Sequence, residues 1–297
     1  MIVTVTLNLA VDVTYRLDRI RLGKTSQVLS VTRRAGGKGV NVARTLHALG
    51  HEVVVTGLAG GATGAEARAE LATVGLRDET VSIAQTTRTT LIAVEADGAA
   101  TGLSEPGPRI AGAEWAELLA RVQALLAGAD ALVLAGSLPP GLAVTAYAQL
   151  IALARADGVP VLLDTRGEAL FHGASAGPAI VKVNAAELAE VAPGADLASA
   201  ARELLGAGPQ AVVVTMGQDG LLAVGADGYW RAPVPIRVTG NPTGAGDAAS
   251  AALILGLLSA SPWPERLADA AALAAAAVRA PQAGSFDAEL YARLRPC

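Results

Sequence analysis

The 297-residue chain contains one cysteine, Cys297, so no disulfide framework and no cysteine-based metal site is possible. It has only three lysines and no run of basic residues, which argues against a nucleic-acid partner. The longest apolar run, Ala248–Ala260, is too short to span a membrane. The first residues lack the basic start and the cleavage pattern of a signal peptide. We therefore expect a soluble, cytoplasmic protein without nucleic-acid or membrane partners.

Regular alternation of short apolar strands and amphipathic helices is the main pattern that is present. Hydrophobic residues make up 52% of the chain, and no linker divides it, which favours one large core. Helices are predicted at Trp115–Leu126, Val144–Ala156, Ala186–Val191 and Ala198–Leu205, with apolar strands between them. Such βαβ units predict a mostly parallel sheet covered on both faces, with ligands beyond the carboxyl ends of its strands.

Two segments interrupt this alternation, residues 14–35 and 86–105. Both read as strands with polar turns and have no crossover helix between them. They could form a small antiparallel sheet outside the main one, or they could be surface hairpins. The local pattern alone does not decide between these alternatives.

The segment TGNPTGAGDAASAALILGLL places small residues around one carboxylate, Asp247, where a helix begins. GAGDAA matches the dinucleotide fingerprint G-x-G-x-x-A, which also requires an acidic residue about 20 positions later, at the end of a strand. Asp269 lies near that distance, but inside a helical pattern. The context therefore argues against a dehydrogenase.

A second interpretation of this segment is an anion site. The backbone N–H groups of Gly244, Ala245 and Gly246 lie at a helix N-terminus, which favours an anion such as a phosphoryl group in transfer. Asp247 could then accept the proton of an attacking hydroxyl. Alternatively, Asp247 only complements the helix dipole. No Walker A motif occurs, so a kinase would have to bind phosphate in another way.

Two further polar positions are candidates for contacts to hydroxyl groups. In RRAGGKGVNVARTLHALG, adjacent glycines permit close approach of a ligand, and Asn41 follows in a first helical turn. Asp12 comes after the first strand and could accept hydrogen bonds from sugar hydroxyls. The simpler alternatives are a glycine turn that enters an ordinary helix and a capped turn.

Nine motifs appear together in one order: TLNLAVD, GGKGVNVAR, GGATG, TRTT, AGSLPPG, LLDTRGEAL, VKVNAAEL, VVVTMGQDG and NPTGAGDA. In this order the chain resembles the PfkB (ribokinase-like) carbohydrate kinases, in the branch that acts on phosphorylated ketohexoses. The resemblance runs from residue 2 to about residue 285. It implies a single three-layer α/β/α domain over residues 1–297, with a mostly parallel central sheet. It also implies a small β-sheet lid formed by about 13–34 and 87–103.

The resemblance also implies roles at matching positions. Asp247 matches the catalytic base, and the anion hole matches the backbone of Gly244, Ala245 and Gly246. Sugar-binding positions match Asp12, Gly37, Lys38 and Asn41, and positions for the sugar's existing phosphate match Lys24, Arg88 and Ser137. Nucleotide-binding positions match Asn184, Thr215, Gly217, Thr243 and Gly246. Asn184 and Glu187 match an N-x-x-E element that organises Mg²⁺ through water.

The implied activity is ATP- and Mg²⁺-dependent phosphorylation of a ketohexose monophosphate, with fructose 1-phosphate favoured over fructose 6-phosphate or tagatose 6-phosphate. The alternatives are a kinase of an unphosphorylated sugar or nucleoside, and a catalytically silent sugar-binding sensor. A homodimer through the lid is expected. The chain departs from the family pattern at Pro242, where Thr is usual, and at Thr90, where Asn is usual. Thr90 bears on the identity of the sugar.

Overall fold

The computed structural model describes residues 1–192 and 194–296, so Cys297 lies outside the described residues. Its strands, in chain order, are β1 (Ile2–Thr6), β2 (Ala10–Leu17), β3 (Val28–Gly36), β4 (Val53–Gly60), β5 (Arg77–Asp78), β6 (Val81–Ile83), β7 (Arg88–Val94), β8 (Ala100–Ser104), β9 (Ala131–Ala135), β10 (Val161–Asp164), β11 (Ile180–Asn184), β12 (Ala211–Thr215), β13 (Leu221–Gly225) and β14 (Gly228–Ala232). Its helices are α1 (Lys38–Ala48), α2 (Gly61–Thr73), α3 (Gly112–Leu126), α4 (Ala146–Ala156), α5 (Glu168–Ser175), α6 (Ala185–Val191), α7 (Leu197–Gly206), α8 (Ala245–Leu258), α9 (Trp263–Arg279) and α10 (Ala288–Leu294).

The central sheet has the strand order β14-β13-β12-β11-β10-β9-β1-β4-β5, and β6 pairs with β4. The strands from β12 through β5 in this order pair in parallel, whereas β13 and β14 are antiparallel. Every residue of β1 and β9 is buried, as the continuous apolar runs predict for strands covered on both faces. The predicted, mostly parallel sheet is confirmed.

Helices cover both faces of this sheet. A separate apolar cluster lies between the sheet and the helices on each face. One cluster includes side chains of α1, α2, α8, α9 and α10, and the other includes side chains of α3 to α7. The helices predicted from periodicity all occur, with ends shifted by at most three residues. In the described part of the chain, no helix has both the length and the apolar character that a membrane crossing requires.

The two irregular segments form a second, four-stranded sheet in the order β3-β2-β7-β8. The expected small sheet is therefore present, but it is not wholly antiparallel, because β2 and β7 pair in parallel. Only three residues separate β1 from β2, so the chain passes directly from the central sheet into the second one. This connection places residues 8–12 at the junction of the two sheets.

Candidate active site

A cavity of about 1230 Å³ lies beside the carboxyl ends of central strands and is bordered by the second sheet. It brings together most of the site residues expected from the sequence, namely Asp12, Gly37, Lys38, Asn41, Arg88, Asn184, Thr215, Gly217, Thr243, Gly244, Ala245, Gly246 and Asp247. These residues are scattered over more than two hundred positions of the chain. The fold therefore assembles one site from both halves of the sequence.

Asp247 lies in the first turn of α8, is 6% exposed, and is held by Asn41. The Asn41 Nδ2 donates to the Asp247 Oδ2 over 2.8 Å. Burial, and secondly the negative charge of Asp164, raise the pKa of Asp247 to about 6. Lys182, Lys38 and the hydrogen bond from Asn41 oppose this rise. A carboxylate with this pKa is ionised at neutral pH and can still accept a proton, as a general base must.

The loop before Asp247 has the geometry of an anion site. Gly244 caps α8 with φ of 88°, and a Cβ at this position would lie 2.8 Å from the Cα of Ala283. The Ala245 N–H donates to the Pro242 carbonyl over 3.2 Å. The N–H groups of Gly244 and Gly246 have no acceptor among the described residues. Two free donors at the positive end of a 14-residue helix favour a bound anion.

Beneath this loop lies a buried ion cluster that the sequence did not predict. Asp164, at the end of β10, is fully buried and accepts from the Lys38 Nζ at 2.7 Å and the Lys182 Nζ at 2.6 Å. Burial alone would raise the pKa of Asp164, but the two ammonium groups outweigh it and hold this pKa below its usual range. A Cβ on Gly246 would lie 3.0 Å from the Lys182 Nζ, so this ammonium group lies directly under the anion site.

On the side of the second sheet, Asp12 and Arg88 face the cavity. Asp12 is paired in register with Thr90 on β7, and Arg88 lies at the start of the same strand. A Cβ on Gly36 would lie 2.1 Å from the Asp12 carboxyl group, so only glycine permits this approach. Burial raises the pKa of Asp12, although Arg88 and a hydrogen bond from Thr90 oppose it.

Asn184 and Glu187 form a capping box at the start of α6. The Asn184 Oδ1 accepts from the Glu187 N–H at 2.7 Å, and the Glu187 Oε2 accepts from the Asn184 N–H at 3.0 Å. The Glu187 Oε1 lies 3.5 Å from the Lys38 Nζ. Asn184 lines the cavity, and Glu187, which is not among the lining residues, lies beside it in contact with Asn184 and Lys38. Both residues thus have a structural role in capping α6.

Lys24 and Ser137 do not line the cavity. Lys24 is exposed in the connection between β2 and β3. Ser137 follows β9, and its Oγ accepts from the Asn8 Nδ2 over 3.1 Å. Neither Asn8 nor Asp164 was a candidate from the sequence, although each lies within a motif that carried the resemblance. The available signal for both was a position at the carboxyl end of a strand or just after it.

The fold and this site define a ribokinase-like phosphotransferase. The family model for pfkB family carbohydrate kinases matches residues 5–289, and the chain belongs to that family. The resemblance seen in the nine motifs is confirmed, and the protein is a carbohydrate kinase.

Solved structures agree with this membership. Phosphofructokinase-2 from Escherichia coli in complex with potassium has 29% identity and a TM-score of 0.92, covering 99% of this chain and 97% of that one. The same enzyme in complex with fructose-6-phosphate has 30% identity and a TM-score of 0.88, with coverage of 99% and 98%. A possible 1-phosphofructokinase from Thermotoga maritima, at 24% identity, has a TM-score of 0.88 with coverage of 98% and 96%, and shows the fold alone.

Proposed function

We propose that this chain transfers the γ-phosphoryl group of ATP to a hydroxyl group of a ketohexose monophosphate. One observation carries the proposal: the buried Asp247, which accepts a hydrogen bond from Asn41, lies at the N-terminus of α8 and lines the same cavity as Arg88. A base and an anion site serve phosphoryl transfer, and a guanidinium serves a substrate that is already phosphorylated. A neutral sugar would offer this guanidinium no charged group, whereas a sugar phosphate would.

In the proposed reaction, Asp247 accepts the proton of the attacking sugar hydroxyl while the oxygen of that hydroxyl group forms the new bond to phosphorus. The bond from phosphorus to the β,γ-bridging oxygen breaks, and ADP leaves with that electron pair. The free N–H groups of Gly244 and Gly246 donate to the oxygens of the group in transfer. One such donor is typically worth about 3–4 kcal/mol in a site that excludes water.

Fructose 1-phosphate is the substrate that the sequence favours, and fructose 6-phosphate is the second candidate. The second is supported by the similarity to the Escherichia coli enzyme solved with fructose-6-phosphate. Either substrate gives fructose 1,6-bisphosphate, because each already carries one of the two phosphates. The end of the sugar that faces Asp247 decides between them, and Asp12, Thr90 and Arg88 line that space.

The nucleotide would lie along the part of the cavity that Thr215, Gly217 and Thr243 line. Among the described residues, no group of three or more His, Cys, Asp or Glu side chains could hold a metal ion. A site with few protein ligands fits Mg²⁺ that binds together with ATP and keeps several of its waters, since Mg²⁺ is often held mainly by phosphates. Asn184 and Glu187 would hold those waters. When bound, the ion neutralises charge on the phosphates.

The test is an ADP-release assay with Mg-ATP and fructose 1-phosphate, fructose 6-phosphate, tagatose 6-phosphate, fructose and ribose. We expect turnover of phosphorylated ketohexoses only. Asp247→Asn should lower kcat at least about 100-fold, and Arg88→Ala should raise the sugar KM about 10- to 100-fold. Asp227→Asn and Arg202→Ala, at exposed positions, serve as controls. Turnover of fructose or ribose that is insensitive to Arg88→Ala would contradict the proposal, and no turnover would favour a sugar-binding sensor.

We also propose that two copies pair through the second sheet. Leu29, Val31 and Leu103 on its strands are 71%, 54% and 64% exposed, which is unusual for large apolar side chains. Phosphofructokinase-2 from Escherichia coli has a tetrameric inhibited form. Light scattering should give a dimer for the wild-type chain and a monomer for Leu29→Asp combined with Leu103→Asp. A wild-type monomer at high protein concentration would refute the pairing.

A further inference from the structure

Two neighbouring strands of the central sheet each place a polar residue two positions beyond their carboxyl end. Asn8 follows β1 and Ser137 follows β9, and these strands pair in parallel. Their side chains meet, since the Asn8 Nδ2 donates to the Ser137 Oγ over 3.1 Å. Asn8 is 4% exposed, so this contact is fixed by the surrounding protein.

The direction of the hydrogen bond is determined by a third group. The Asn8 Nδ2 also donates to the Pro106 carbonyl over 3.1 Å. A carbonyl oxygen can only accept, so the amide must turn its NH₂ group to Pro106 and hence to Ser137. Ser137 therefore acts as the acceptor. Its own hydroxyl proton has no acceptor among the described residues and is available to a ligand.

Asn8 also holds Arg88, through its backbone. The Asn8 carbonyl accepts from the Arg88 Nε over 3.1 Å, and the Glu105 carbonyl accepts from the Arg88 Nη1 over 3.3 Å. Arg166, two residues beyond β10, has no ion-pair partner in the described part of the chain. Burial, with Arg166 contributing, lowers the pKa of Arg88. Two guanidinium groups and a free hydroxyl proton thus lie near the same strand ends.

We propose that Asn8 is a positioning residue for one anion, the phosphate that the sugar already carries: its side-chain amide directs the Ser137 hydroxyl proton to that anion, and its backbone carbonyl holds the Arg88 guanidinium beside it. This inference rests on the proposed function. The Asn8 Oδ1 is buried without a hydrogen-bond partner, and a Cβ on Gly107 would lie 2.2 Å from it. An unpaired buried acceptor is unfavourable for folding, so the side chain is held for what its NH₂ group does.

The test compares Asn8→Ala, Asn8→Asp, Ser137→Ala and the double variant Asn8→Ala with Ser137→Ala. KM and kcat are measured with the preferred phosphorylated ketohexose and with Mg-ATP. Asn8→Asp has nearly the same shape but replaces the donor by an acceptor, which would draw the Ser137 proton away from the substrate. Thr4→Val, a buried change on β1 away from the strand end, is the control for disturbance of the strand.

We expect Asn8→Ala to raise the sugar KM about tenfold, with kcat and the ATP KM nearly unchanged. Asn8→Asp should raise the sugar KM further, because it also adds a negative charge beside the phosphate. In the Ser137→Ala background, Asn8→Ala should have little further effect on the sugar KM, because the backbone carbonyl that accepts from the Arg88 Nε is kept in the alanine variant. Full multiplication of the two single effects, or a loss confined to kcat, would overturn the proposal.

A second readout separates this inference from the proposed function. If the wild-type chain turns over only unphosphorylated sugars, the proposed function fails, and inorganic phosphate becomes the probe. Phosphate should then raise the melting temperature of the wild-type chain and of Thr4→Val, but not of Asn8→Asp or Asn8→Ala. Equal shifts in all four proteins would show that Asn8 positions nothing for an anion.

Discussion

Asp247→Asn should make the folded chain more stable while it removes activity. In the folded chain the pKa of Asp247 is raised to about 6, chiefly by burial, from 3.8. The folded state therefore binds this proton more tightly than the unfolded state. The resulting penalty is absent below about pH 4, grows between pH 4 and 6, and is complete above pH 6. At about 1.4 kcal/mol per pH unit, a shift of roughly two units corresponds to about 3 kcal/mol.

Asparagine has the shape of the protonated carboxyl group and carries no charge, so the variant escapes this penalty. We expect its unfolding free energy to exceed that of the wild-type chain by up to about 3 kcal/mol at pH 8 and by about half as much at pH 5. Urea unfolding at pH 5, 6.5 and 8 measures the difference. Asp227→Asn, on the exposed turn between β13 and β14, is the matched control and should show no such trend.

Two results would refute this reasoning. A variant less stable than the wild-type chain at pH 8 would mean that the ionised carboxylate is stabilised where it lies. A gain in stability that does not change with pH would mean that the variant acts through packing instead of charge. In either case the raised pKa of Asp247 would be wrong. The assignment of Asp247 as a base that is held at a cost in stability would then be wrong too.

Three further outcomes follow from the site. The kcat/KM for the sugar should fall about tenfold per pH unit below pH 6, because Asp247 becomes protonated there. A pH profile of kcat/KM measures this fall, and a flat profile down to pH 5 would contradict the prediction. Gly36→Ala should raise the sugar KM because its Cβ would collide with the Asp12 carboxyl group, whereas Gly112→Ala, with open space around it, should not. Gly244→Ala should lower kcat and cost about 1–2 kcal/mol of stability, because φ of 88° is unfavourable for alanine; unchanged kinetics and melting temperature would contradict this.

The catalytic elements were predictable because each is local in the sequence. Asp247 and the small residues before it form one contiguous stretch, and Asn41 follows a double glycine at the start of α1. Likewise, the central sheet was predictable from its apolar strands, since strands buried on both faces have a distinctive composition. A short stretch of sequence can be interpreted without knowledge of the contacts it makes with distant residues.

The ion cluster was not predictable, because its members are distant in the sequence. Asp164 and Lys38 are 126 residues apart and meet only after α1 has packed beside the ends of the central strands. The parallel pairing of β2 with β7 escaped prediction for the same reason, since either orientation fits the alternating pattern of a single strand. The amide of Asn8 belongs to this group too, because its role depends on what lies at the end of the adjacent strand.

The charges around the anion site finally bear on the need for a divalent cation. Asp247, Asp164 and Glu187 contribute three carboxylates, whereas Lys38 and Lys182 contribute two ammonium groups. The cluster thus carries a net negative charge when Asp247 is ionised, and it cannot balance the phosphates of ATP. One unbalanced charge pair about 6 Å apart costs roughly 3 kcal/mol at an effective dielectric constant near 20. ATP should therefore bind about 100-fold more weakly in EDTA than with Mg²⁺, by calorimetric titration of the whole chain. Equal affinities would show that the protein's own cations suffice, and that the charges have been assigned wrongly.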